Sequence, residues 1–112
     1  MESSTTLVSI RMTYSVRLMA AALRDLDAIE GYYEQHAPRD TERCLDAIEA
    51  TLGRLSLHAH QAPQRRLGLR RVSTEAFRYH VWYRLFEYER FVQVVAILHH
   101  ARGDEALASR LP

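Results

Sequence analysis

The polar and apolar positions of this chain change period twice. Tyr14, Val16 and Leu18 alternate with Thr13, Ser15 and Arg17, the period of two that a half-buried strand requires. Leu23, Leu26, Ile29 and Tyr33 then fall three, three and four residues apart, an apolar stripe along a helix. His36-Ala37-Pro38 ends it, because proline disfavours helical geometry in the residue before it. Pro38 suits the first turn of a following helix, where its missing N–H costs little. Leu45, Ile48, Leu52 and Leu55 form the next stripe, with Cys44 beside it. The connection is short, so the two helices are predicted to form an antiparallel hairpin. Gly53 costs about 1 kcal/mol relative to alanine inside a helix, which predicts a frayed last turn.

His58 to Gly68 is a polar connection punctuated by Pro63 and Gly68. The period of two then returns. Leu69 to Val72 reads as a short strand, Phe77 to Phe86 as a longer one and Phe91 to Leu98 as the last, with Glu87 to Arg90 turning the final pair. Residues 92–98 are nearly all apolar, which places the last strand in the middle of the sheet. Residues 104–112 are weakly helical. The predicted order is β-α-α-β-β-β, an α+β fold with an antiparallel sheet and a helical hairpin packed on one face. Residues 1–11 are polar and aperiodic and read as a disordered extension before a single domain over 12–112; Met12 is an alternative start.

Alternation divides the longer strand into two faces. Phe77, Tyr79, Val81, Tyr83 and Leu85 share the face that can be buried. Arg78, His80, Trp82 and Arg84 share the other, a basic stripe around one large ring that is expected to receive a partner.

Composition sharpens this picture at three points. The net charge of +1 conceals a split: six Arg and nine acids over residues 1–56, nine Arg and five acids over 57–112. An acidic helical half and a basic sheet half suit a polyanion or an acidic partner. All fifteen basic residues are arginine, which excludes any chemistry that requires lysine. The single cysteine, Cys44, excludes an intrachain disulfide. With 112 residues, no apolar run near the length of a membrane span and no secretory features at the N-terminus, a cytoplasmic single-domain protein is expected.

The segments TYSVRL, AAALRDLDAIEGYYEQHAP, CLDAIEATLGRL, GLRR, RYHVWYR and VVAILHHAR, in that order, resemble the ParE/RelE superfamily of bacterial type II toxins from about Tyr14 to Arg102. The resemblance implies a small toxin neutralised by a cognate antitoxin that wraps around it. It also implies that promoter DNA is bound only indirectly, through the antitoxin complex. Two activities occur on this fold: ParE-like members poison DNA gyrase by protein contact, and RelE-like members cut mRNA in the ribosome.

The second activity needs cations around a phosphorane-like transition state, with an acid and a base beside the 2′-OH. RelE-like members supply lysines in and before the second strand, an arginine in the third, an arginine after the last and often a downstream tyrosine. Here the lysines are absent, the third-strand position is His80 between Arg78 and Arg84, and no tyrosine follows residue 102. Arg102 alone matches, and His99 or His100 is left to stand in for the tyrosine. The segment DLDAIEGYYEQHAP resembles the ParE-like branch, although His100 stands where many members have glycine.

The sequence therefore points to a ParE-like gyrase inhibitor with no catalytic residue, cofactor or metal of its own. Arg70, Arg71, Arg78, His80, Trp82, Arg84 and Arg102 are the expected antitoxin- or target-binding set, with Trp82 as an anchor of the interface. The alternatives are a ribonuclease using Arg78, His80, His99, His100 and Arg102, and a toxin-fold protein that has lost toxicity. Arg65, Arg66 and Arg110 read as further surface cations, His58 and His60 as surface residues, and Tyr32 and Tyr33 as helix packing.

Overall fold

The structure, a computed structural model, describes residues 13–102 and 105–110. The expected extension over 1–11 lies outside the described residues. Strand β1 (Ser15–Leu18) leads through helix α1 (Ala20–His36) and a 3₁₀ turn at Pro38–Asp40 into helix α2 (Thr41–His58). A second 3₁₀ turn follows at Ala59–Gln61, then β2 (Arg70–Ser73), β3 (Tyr79–Phe86), β4 (Phe91–His99) and a one-turn helix α3 (Glu105–Ala108). Pro38 sits at the start of its turn, where its missing N–H leaves no bond unmade. Helix α2 does not fray at Gly53. It continues to His58 because Leu55 and Ala59, beyond the glycine, are both buried.

The sheet order is β1-β4-β3-β2, so the most apolar strand does lie inside. β2, β3 and β4 pair antiparallel. β1 departs from the all-antiparallel expectation: it runs parallel to β4, from Ser15 opposite Phe91 to Leu18 opposite Val94. Alternation reports which faces of a strand are buried and carries no information on the direction of its neighbour. The two strands enter the sheet from one end, where the Ser15 N–H donates to the Arg90 carbonyl at 3.0 Å.

The helical hairpin covers one face of the sheet. Ala22 and Ile29 from α1 and Cys44, Ile48 and Leu55 from α2 pack against Tyr79, Val81, Tyr83, Val92, Val94 and Ile97. The Tyr83 hydroxyl donates to the Ala59 carbonyl at 2.6 Å, so its polar end is satisfied inside the core. One reading of the helices is corrected, and one buried residue is new. Leu23, placed on the α1 stripe, is 52% exposed. Thr51 is buried on α2, tolerated there because its hydroxyl donates to the Ala47 carbonyl one turn back at 2.9 Å.

The opposite face is not an open basic stripe. Trp82 is only 4% exposed and forms a second apolar cluster with Leu69, Val95, Ala96, Leu98 and Leu107, flanked by Met19 and Ala106. Helix α3 is thus a lid over the middle of the outer face. It is held by Arg110, whose guanidinium donates to both carboxylate oxygens of Asp25 at 2.9 and 2.8 Å and to the Val95 carbonyl at 3.1 Å. Alternation buries Trp82 and Tyr83 on opposite sides of β3, and a register shift between them leaves Val95 of β4 unpaired, so that Val95 and Ala96 both join the Trp82 cluster.

Candidate functional site

The β2–β3 turn displaces one expected site residue. Phe77 and Arg78 have φ of 68° and 58°, left-handed backbone that ends the strand, so β3 begins at Tyr79. Thr74 holds this turn: its hydroxyl accepts from the Tyr79 N–H at 3.0 Å and donates to the Ala76 carbonyl. Phe77 still packs on the core, edge-on to Tyr33 at 5.6 Å. Arg78 is exposed at the corner.

Around that corner three histidine rings meet, His80 and His100 on the outer face and His99 on the side of Tyr79. His80 Nδ1 lies 2.8 Å from the Ser73 hydroxyl. The His100 ring is 6.3 Å from that of His80 and 4.7 Å from that of His99. Burial, then the charges of Arg71 and His100, push the His80 pKa down. Burial, then His100 and Arg78, do the same to His99. The Ala101 N–H donates to His99 Nδ1 at 3.2 Å, which puts the proton of the neutral ring on Nε2.

Folding therefore disfavours protonation of both rings, so the unfolded chain binds protons first as the pH falls through about 6.5. Stability is expected to drop as the pH falls from neutral through about 6.5. A urea midpoint that falls over this interval, and falls less in the double variant His80→Gln/His99→Gln, checks this.

The other expected binding residues divide. Arg70 turns inward, its Nη1 donating to the His60 and Ala62 carbonyls at 3.1 and 2.5 Å, so it fastens the loop beneath the sheet. The Arg71 guanidinium stacks 5.5 Å over the Trp82 ring, and Trp82 is beneath the lid. Arg84 is half-buried opposite Gln93. Arg102 is exposed and stands away from the His80 corner, at the mouth of a depression between α1 and the end of β4.

That depression was not anticipated from the sequence. Two adjoining hollows of about 190 and 340 Å³ share Tyr32, Tyr79 and His99 as walls; the first adds Asp25, Ala28, Ile97 and Arg102, and the second adds Tyr33. Tyr32 stacks on His36 at 4.4 Å, and the rings of Tyr79 and His99 meet edge to face at 5.4 Å. Burial, then the bond that the Tyr79 hydroxyl donates to Tyr33, raises the Tyr79 pKa well above the ordinary phenol range, so this phenol stays protonated. Tyr32 had read only as helix packing, and Asp25 carried no signal beyond lying next to the apolar stripe. Among the described residues no group of three or more histidine, cysteine or acidic side chains is arranged to hold a metal ion.

No curated protein matches this chain. Among solved structures it resembles the chromosomal ParDE toxin–antitoxin system of P. aeruginosa, at 22% identity and a TM-score of 0.68, over 80% of this chain and 97% of that one. The toxin–antitoxin complex RelBE2 of M. tuberculosis matches at 25% identity and 0.52, over 79% and 99%. A substituted E. coli RelE toxin in the free state matches at 11% and 0.58, over 90% and 100%. The family model for the ParE toxin of the type II toxin–antitoxin system parDE matches residues 16–103. The two helices, the mixed sheet and the segments running from β1 to the turn after β4 thus identify this chain as a member of the ParE toxin family of type II toxin–antitoxin systems.

Proposed function

We propose that this toxin inhibits DNA gyrase by protein–protein contact, in the cytoplasm, and is neutralised by a cognate antitoxin through which promoter DNA is bound. What supports this reading above all is the match to the ParE toxin model over 16–103. The geometry of the alternative catalytic set agrees with it. His80 and His100 face outward, the His99 ring packs on Tyr79, and Arg102 borders the α1 depression. Of the alternative set, the three histidine rings meet at the Arg78 corner while Arg102 lines the depression beside α1. In this reading no covalent bond is made or broken by the chain.

The test is DNA supercoiling by purified gyrase with rising amounts of antitoxin-free toxin, cleaved plasmid being scored on the same gel. Loss of supercoiling with accumulated linear plasmid is the expected result. Unaffected gyrase in the presence of folded toxin would overturn the reading.

One observation favours the ribonuclease reading. The lowered pKa values of His80 and His99 leave neutral imidazoles near Arg71 and Arg78, a base beside cations. Ribosome-dependent cleavage of mRNA, abolished by His80→Ala, is the result this alternative requires. A protein inert in both assays is the non-toxic partner.

A further inference from the structure

Strand β1 ends the sheet on one side, and most of its outer edge is unmet. The Ser15 N–H donates to the Arg90 carbonyl at 3.0 Å and the Met19 N–H to the Val94 carbonyl at 2.9 Å, so the odd-numbered residues bond toward β4. The N–H and C=O of one strand residue point to the same edge, and successive residues alternate between edges. Tyr14, Val16 and Leu18 therefore aim their main-chain groups outward. The Tyr14 N–H is taken by the Ser56 carbonyl at 2.7 Å. Among the described residues none meets the Tyr14 carbonyl or the N–H and C=O of Val16 and Leu18.

Bare edges are normally guarded by an outlying charge, a proline, a bulge or a covering loop. Among the described residues β1 carries none of these. Its one charged side chain, Arg17, turns back over the Phe91 ring of β4 at 4.8 Å, and Ser15 beside it is small. Tyr14, Val16 and Leu18 pack on the core from the side of the helical hairpin but are only partly buried. A large apolar side chain also stands exposed at each end of the strand. Leu57, 50% exposed, follows the Ser56 that bonds the start of β1. Leu23, 52% exposed, donates its N–H to the Met19 carbonyl just past the finish.

We propose that this edge pairs with the same edge of a second copy of the chain, antiparallel about a two-fold axis at Val16. Val16 of each copy donates to and accepts from Val16 of the other, and each Leu18 N–H donates to the Tyr14 carbonyl across the axis. The Tyr14 N–H, already bonded to Ser56, is not needed. Antiparallel pairing also sets Leu57 of one copy against Leu23 of the other at both ends, the reciprocity that a two-fold contact requires. Arg17 falls opposite the small Ser15, so like charges do not face each other across the ladder. Four strand residues with a leucine pair at each end make a contact well short of an obligate interface, so the dimer is expected to dissociate between about 1 μM and 1 mM.

The test is sedimentation velocity of the full-length, antitoxin-free chain across that concentration range, with amide exchange followed by NMR. A shift from monomer to dimer is expected, with the Val16 and Leu18 amides exchanging at least about tenfold more slowly in the dimer. Leu23→Glu and Leu57→Lys, both at half-exposed positions, are each expected to weaken the dimer about tenfold or more, with circular dichroism unchanged. An equimolar mixture of the two variants is expected to associate more tightly than either alone. One end of the mixed dimer then sets opposite charges together while the other keeps two leucines. Should a variant not fold, the concentration dependence of the two amides decides. A chain that stays monomeric throughout, or a dimer that neither folded variant weakens, would overturn the proposal. So would Val16 and Leu18 amides protected at every concentration, which would place another part of the chain on the edge, or protected only once antitoxin is added, which would assign the edge to that partner.

Discussion

Replacing Trp82 with alanine is expected to lower the unfolding free energy by about 3 to 5 kcal/mol. The indole is 4% exposed, enclosed by Leu69, Val95, Leu98 and Leu107, and its removal leaves a cavity that α3 cannot close without moving the Arg110 bonds. A domain of this size has about 5 to 15 kcal/mol of stability in total, so the variant loses a large fraction of it. Urea denaturation followed by circular dichroism gives the number, and Trp82→Phe should lose less. On the sequence reading, Trp82 was an interface anchor whose loss weakens antitoxin binding. An unmoved midpoint would restore that reading and contradict the lid.

Removing the Asp25 carboxylate should cost about as much, by a different route. Asp25 accepts from two guanidinium nitrogens of Arg110 and from the Ile97 N–H, and the two side chains are only 11% and 18% exposed. Asp25→Ala strands a half-enclosed guanidinium and an unmet strand N–H together. Breaking one side of such a pair costs about 3 to 5 kcal/mol, far more than an exposed ion pair contributes. The double variant Asp25→Ala/Arg110→Ala should cost clearly less than the two single changes added, because the stranded charge is then gone. Additive losses measured by urea denaturation would show that the two groups do not act as a unit.

The elements legible in the sequence were those fixed by local periodicity. Tyr79, Val81 and Tyr83 alternate into the core as their spacing demands, and Ile29, Ile48 and Leu55 hold their helical stripes. Local spacing failed where a distant segment decides the outcome. Trp82 sits at a polar-face position, and its burial depends on Leu107, which is part of a weakly helical tail. Arg70 and Arg71 look alike in sequence, yet one bonds the loop carbonyls of His60 and Ala62 while the other covers an indole. Arg78 belonged to a strand by alternation, but the turn places it in left-handed backbone that no residue type there announces. The depression beside α1 was least legible of all, since its parts come from α1, β3 and the end of β4.

The parallel pairing of β1 and the Asp25–Arg110 bonds have a consequence for the order of assembly. Thr13 meets Arg90 across 77 residues, and Asp25 meets Arg110 across 85. Contacts so distant close late, after the entropy of a long loop has been lost. During synthesis the helical hairpin can emerge and form on its own, whereas β1 waits without its sheet neighbour until β4 has been made.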